Sequence, residues 1–321
     1  MSGRLKTNTT IRPDLGALAY EFYMESATSG FIGLELFPVF ETAKKTATFP
    51  TITAKSMLST PETKRAARSA YGRSDYVLDE GNYNCSNHGW EEPVDDEERE
   101  LYADYFDAEE IATQRATGIV LRSQEIRIKN KALDTSVIHN GAAGVKWDTI
   151  ATADPKSDVQ DAVELIRKRT GLLANTIAMS RTRFLKLLNT TKFLEAMKYT
   201  VAIQAQPFEV QRQAVALYLG IDKLLIAGGI YDKNQKGKAV DPDDIWAADK
   251  VVVCRTASPG SKDLKEPCIG RTFLWTRMTP NNITTDTYRE DQTESDIYRV
   301  KAYTDEQHMF TGAAEIITGL V

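Results

Sequence analysis

The stretch PVDDEERELYADYFDAEEIATQRATGIVLRSQEIRIKNKAL, residues 93–133, decides the reading of this chain. Pro93 can open a helix, Asp95 can cap it, and Glu98 stands where a capping-box partner belongs. Apolar or small residues recur at Leu101, Tyr105, Ala108, Ala112, Ala116, Ile119, Ile126 and Leu133, spacings that line one helical face. Asp95, Asp96, Glu97, Glu98 and Glu100 crowd its start, and Arg122, Arg127, Lys129 and Lys131 its end, so the charges complement the helix dipole. An unbroken helix from Asp95 to Leu133 would run about 58 Å. Gly118 sits in its middle, where glycine costs about 0.5–1 kcal/mol relative to alanine. Close packing or bending of the helix is the expected reason.

Upstream, the composition changes twice. Leu15 to Met24 puts Leu15, Leu18, Ala19 and Phe22 on one helical face. Then Phe31, Ile32, Leu34, Leu36, Phe37, Val39 and Phe40 crowd together, interrupted by Gly30, Gly33 and Pro38. So much apolar surface with little regular structure needs a cover, either elsewhere in the chain or on another subunit. Ala47 to Thr53 and Asp75 to Leu78 read as strands flanking a polar tip, Ser56 to Gly72. That is a long hairpin, which needs support.

Downstream, Thr149 to Arg277 reads as an α+β unit. Helices are expected over Val159 to Ile166, closed by Gly171, over Thr182 to Met197, and over Glu209 to Leu219, closed by Gly220. Strands are expected at Thr176 to Met179, Leu224 to Ala227, Val251 to Arg255 and Ile269 to Trp275. The end reads as two strands, Ile297 to Tyr303 and Met309 to Ile317, around a turn at Thr304 to Gln307.

The bulk numbers bound the function. With 45 acidic against 40 basic residues the formal charge is −5, which argues against a general nucleic-acid coat. No apolar run approaches the roughly 20 residues of a membrane helix. Met1 to Thr10 lacks the apolar core of a signal peptide, so synthesis in the cytosol is expected. Cys85, Cys254 and Cys268 are too few and scattered for a disulfide framework. Cys85 and His88 share a short offset, but a closed zinc site wants four ligands and no second pair matches. Gly237-Lys238-Ala239 lacks the hydroxyl and glycine spacing of a phosphate loop, and nucleophile-elbow and zincin patterns are absent. No catalytic residue, cofactor or metal is expected.

Four segments carry a resemblance. They are Gly33-Leu-Glu-Leu-Phe-Pro-Val-Phe40, Asn175-Thr-Ile-Ala-Met-Ser180 leading into Phe184-Leu185, Gly220-Ile-Asp-Lys-Leu-Leu-Ile226, and Tyr298-Arg-Val300 through Gly312-Ala-Ala314. In order and spacing the chain resembles, over essentially its whole length, the major capsid proteins of tailed bacteriophages, the Hong Kong phage type. The resemblance implies an α+β subunit with an N-terminal arm (residues 1–40), an extended E-loop hairpin (41–90), a peripheral domain (91–148 and 283–321) and an axial domain (149–282). It implies pentamers and hexamers closing into an icosahedral shell around double-stranded DNA, in the virion after assembly in host cytoplasm. A separate scaffolding protein, a portal and possible decoration proteins are its expected partners. A cellular nanocompartment shell of the same fold is the alternative. Expected intersubunit contacts are Phe31, Leu34, Leu36, Phe37 and Phe40 of the arm. At the hairpin tip, Lys64, Arg65 and Arg68 are expected to meet Asp95, Asp96, Glu97 and Glu98 of a neighbour.

Overall fold

A computed structural model describes residues 10–11, 30–52, 58, 60, 63–65, 67–68, 70–73, 78–102, 107–198, 206–234, 237–258, 260–261 and 263–321. The expected helix at Leu15 to Met24 lies outside them. The chain begins Thr10–Ile11 (β1), Gly33–Leu36 (α1), Val39–Thr42 (β2), Thr46–Ile52 (β3), Leu78–Asn84 (β4), Ser86–Asp95 (β5), Asp96–Tyr102 (α2) and Ala108–Ala132 (α3). It continues His139–Ala142 (β6), Pro155–Thr170 (α4), Thr176–Ser180 (β7), Arg181–Leu188 (α5), Thr191–Ala196 (α6), Phe208–Leu219 (α7) and Lys223–Ala227 (β8). Ile230–Asp232 (β9), Pro242–Asp244 (β10), Val251–Cys254 (β11), Gly270–Trp275 (β12), Thr284–Glu290 (β13), Ser295–His308 (β14) and Ala314–Thr318 (β15) complete it.

Two sheets organise these elements. In the first, β14 is the spine. Its start pairs with β13 and its end with β12 on one side, while β5 runs along the other. β1 extends the sheet from β13, and β2 from β12 in parallel. α3 crosses this sheet, burying Ala116, Val120 and Leu121 against Ile283, Val300 and Ala302. The second sheet has the order β6-β15-β11-β7-β8. Its strands are apolar runs, as a sheet covered on both faces requires; every residue of β7 and β11 is buried. One face packs Val159, Ile166, Phe184, Leu219 and their neighbours from the helices. The other packs Ile128 and Ala132 of α3, with Leu36, Phe37 and Trp246.

The long helix is shorter than its sequence pattern predicts. Pro93 lies in β5, opposite Ile297, because β5 pairs with β14 as far as Asp95. Asp95 still caps, accepting from the Glu97 backbone N–H at 2.8 Å, but it starts only the short α2. α3 begins afresh behind Asp107, an extended residue whose carboxylate accepts from Glu109 and Glu110. Leu101 therefore falls out of phase with the later stripe and is 67% exposed. The predicted Thr182 to Met197 helix likewise divides into α5 and α6 around Asn189 and Thr190. Gly171 and Gly220 end their helices in the left-handed conformation, both at φ 74°, as expected of C-terminal glycines.

The predicted turn at Thr304 to Gln307 is strand. Thr304 and Glu306 face α3, where the Arg127 guanidinium donates to both, and the same residues pair with β12. The reversal comes later, at the 3-10 turn Thr311–Ala313. It sends β15 into the second sheet beside β11. The last strand and β12 thus exchange sheets across the boundaries expected at residues 282 and 283.

Candidate functional site

The segment before β2 is seated in the subunit's own core. Leu36 and Phe37 are fully buried, and Ile32 nearly so, in the cluster beneath the second sheet. A Cβ at Gly270 of β12 would run into the Phe37 ring, so this glycine is what lets β12 pass. Phe31, Leu34 and Phe40 are half-buried against neighbouring clusters of the same chain. Leu36 and Phe37 are thus covered within their own chain, where the sequence reading expected intersubunit contacts. The cover that the sequence demanded comes from α3, β11 and β12, because β2 pairs with β12 and pulls its preceding turn inside.

One carboxylate fixes that turn. Glu125 of α3 accepts from Ile32 N at 3.0 Å, Gly33 N at 2.8 Å and Trp246 Nε1 at 2.7 Å. Burial pushes its carboxyl above the usual range, and the three N–H donors pull against that shift. The sequence reading missed Glu125. Its signal was a charge between Leu121 and Ile128, where helical spacing calls for an apolar residue.

The hairpin β3–β4 is anchored at its root by rings. Phe273 of β12 stacks on Tyr83 at 4.2 Å and on Phe49 at 5.2 Å, and meets Phe40 edge-on at 5.6 Å. The Thr42 and Tyr83 hydroxyls are 2.9 Å apart, and Asp305 accepts from Asn84 N at 2.7 Å. Beyond this root the described residues expose Leu58 and Tyr71 beside their polar neighbours. Lys64, Arg65 and Arg68 are all exposed, with the Arg65 guanidinium 4.6 Å over the Tyr71 ring.

The acidic cluster proposed to meet that tip is partly committed within the subunit. Asp95 caps α2, and Asp96 takes both Arg289 nitrogens at 2.8 and 2.5 Å. The Arg289 hydrogen bond holds the Asp96 carboxyl below its usual range. Glu97 is exposed; the Glu98 side chain lies outside what is described.

Across the open face of the first sheet lies a charge cluster that the sequence reading did not single out. Buried Asp286 accepts from Arg299 at 2.6 Å and Lys301 at 2.9 Å, and Arg299 also donates to Glu91. Burial alone would raise the Asp286 carboxyl, but these two cations hold it below its ordinary value. Alternation in the strands was the available signal: Asp286, Arg299, Lys301 and Glu91 all point to one face. A groove of about 490 Å³ runs there, lined by Asn87, Gly89, Trp90, Glu91, Arg299 and Lys301. A second, of about 450 Å³, follows the outer side of α3 along Gln114, Arg115, Gly118, Ile119 and Arg122. Gly118 itself is half-buried.

Reactive chemistry finds no setting in the thiols. Cys85 is buried against the Phe273 carbonyl, and its thiol is pushed up to about 11 by burial and by Asp305. It is a free thiol of the core. Among the described residues no group of three or more His, Cys, Asp or Glu is placed to hold a metal ion, and no helix is long and apolar enough to cross a membrane.

A long helix laid across a charged sheet, a hairpin standing from its root, and a second sheet wrapped in helices define one α+β architecture. It is the fold of tailed-phage major capsid proteins. No family model and no curated protein matches the sequence. Solved structures match along nearly the whole chain. A phage-related protein from Bordetella bronchiseptica RB50 superposes with a TM-score of 0.69 at 20% identity, covering 97% of this chain and 98% of that one. The capsid of cyanophage P-SCSP1u gives 0.58 at 10% identity, over 88% and 86%. A virus-like particle from Pyrococcus furiosus gives 0.55 at 11% identity, over 93% and 97%.

Proposed function

We propose that the chain is a major capsid protein, whose copies associate as pentamers and hexamers into an icosahedral head around double-stranded phage DNA. The observation that carries this reading is the end-to-end likeness to a phage-related protein and a cyanophage capsid, with neither chain left largely unmatched. In this reading residues 1–40 are the arm, 41–90 the E-loop, 91–148 with 283–321 the peripheral domain, and 149–282 the axial domain. The role is structural, with no catalytic step. The hairpin tip, Phe31, Leu34, Phe40 and the acidic start of α2, chiefly Glu97 and Glu98, are surfaces for neighbours. Gly118, which lines the groove along α3, is a point of close packing with a neighbouring element or of bending in the helix. A net charge of −5 suits a container that must pack and release DNA without holding it. Scaffolding, portal and decoration proteins are partners of the assembling shell, which forms in host cytoplasm and ends in the virion.

The likeness to the Pyrococcus furiosus particle favours one second reading, an encapsulin-like cellular compartment. Nuclease treatment of purified particles separates the two. Protected double-stranded DNA supports the phage head; a protein cargo with no protected DNA supports the compartment and overturns the head.

A further inference from the structure

Glu125 joins three parts of the chain far apart in sequence: the turn at Ile32 and Gly33, the helix α3, and Trp246 in the connection from β10 to β11. All three lie in the interior, with Glu125 only 3% exposed. A buried donor left without an acceptor costs more than an ordinary hydrogen bond contributes, so the carboxylate cannot be lost cheaply. The fit is tight from the other side too. A Cβ at Gly33 would run into Glu125 Oε2 and lie 2.9 Å from Ile128 Cδ1. Two further ties flank the turn: Gly228 N donates to the Gly30 carbonyl at 3.0 Å, and Lys223 pairs with Glu35 at 2.7 Å. The Lys223–Glu35 pair is solvent-accessible at both side chains, so it contributes little. The Glu125 bonds are the buried ones.

We propose that Glu125 is a clamp that fixes the turn at residues 30–35 on the body of the protein. It couples the placement of that segment to α3 and to the Trp246 connection. Glu125 is thus a positioning residue for the turn that leads into β2, a role that goes beyond the shell reading and is testable without particles.

Hydrogen–deuterium exchange of the full chain tests it, comparing wild type, Glu125→Gln and Trp246→Phe. A glutamine oxygen can still accept from Trp246 and Ile32, but its NH₂ then faces the Gly33 N–H, donor against donor. Exchange in residues 30–35 should rise about tenfold or more in Glu125→Gln, with β7, β11 and β15 unchanged. Trp246→Phe, which leaves both backbone bonds in place, should keep residues 30–35 protected. Should Glu125→Gln fail to fold, Gly33→Ala disturbs the same junction from the opposite side and should give the same local rise. Unchanged protection at 30–35, or an equal rise across all strands, overturns the clamp.

Discussion

The two sheets are stabilised by different physics. In the second, β7 and β11 bury every residue between helices on one face and α1, α3 and Trp246 on the other. In the first, strands alternate. β14 turns Val300 and Ala302 toward α3, and Arg299 and Lys301 toward an open face tied together by Asp286. β5, at the edge of that sheet among the described strands, is mostly exposed, with Trp90 47% accessible. The second sheet is complete as a hydrophobic core. Among the described residues, the first is packed by α3 on one face and carries Glu91, Asp286, Arg299 and Lys301 on the other. In the proposed function, that second face is where neighbouring copies would dock.

Phe37→Ala attacks the point where the two sheets meet, since Phe37 packs under the second sheet and against Gly270 and His308 of the first. Removing so large a buried ring should cost about 3–5 kcal/mol, the largest effect expected here, read as a fall in the denaturation midpoint of the isolated subunit. An unchanged midpoint would return Phe37 to the role of an external contact.

Asp286→Ala separates the sheets. It leaves Arg299 and Lys301 facing each other without their buried acceptor and should cost about 3 kcal/mol. Loss of exchange protection should concentrate in β13 and β14. If β7 and β11 loosen equally, the two sheets are not the distinct units described.

Acid distinguishes them a third way. Both ring nitrogens of His308 are buried beside Phe37, with Lys131 and Asp134 at the end of α3 nearby. Burial, followed by Lys131, lowers its pKa from 6.5 to about 4. The folded state therefore binds that proton less readily than the unfolded chain. The stability this contributes is complete above pH 6.5 and drains away as pH falls toward about 4, by up to about 3 kcal/mol. Denaturation midpoints across that window should slope downward in wild type and much less in His308→Leu. His88, also lowered chiefly by burial, adds to the slope in the same direction.

Much of this was legible in the sequence, and the failures have physical causes. Apolar runs such as Val251 to Cys254 and helix-closing Gly171 and Gly220 act locally, so their elements came out nearly as expected. Pro93 misled because a helix-opening signal cannot reveal that β14 offers a ten-residue pairing to β5. Thr304 and Glu306 look like turn residues until Arg127, far off in sequence, supplies their partner. At the site, the exposed tip cations Lys64, Arg65 and Arg68 were visible, whereas Asp96 was already claimed by Arg289. Leu36 and Phe37 were recognised as needing cover, but only β2–β12 pairing shows whose.

The smallest effect on the subunit belongs to the hairpin tip. Reversing Lys64, Arg65 and Arg68 to glutamate should change subunit stability by less than about 1 kcal/mol, because exposed charges contribute little. Assembled particles should nonetheless dissociate at lower denaturant, and reversing Glu97 and Glu98 as well should restore part of the loss. No restoration would remove the acidic start of α2 as the tip's partner.

The proposed function requires copies of this chain to close into shells. Electron microscopy of the full-length chain, produced alone and together with the proteins encoded beside it, tests that most directly. Closed, regular particles of many copies are expected under at least one of the two conditions. A monodisperse monomer under both, at high concentration, would contradict the proposed function.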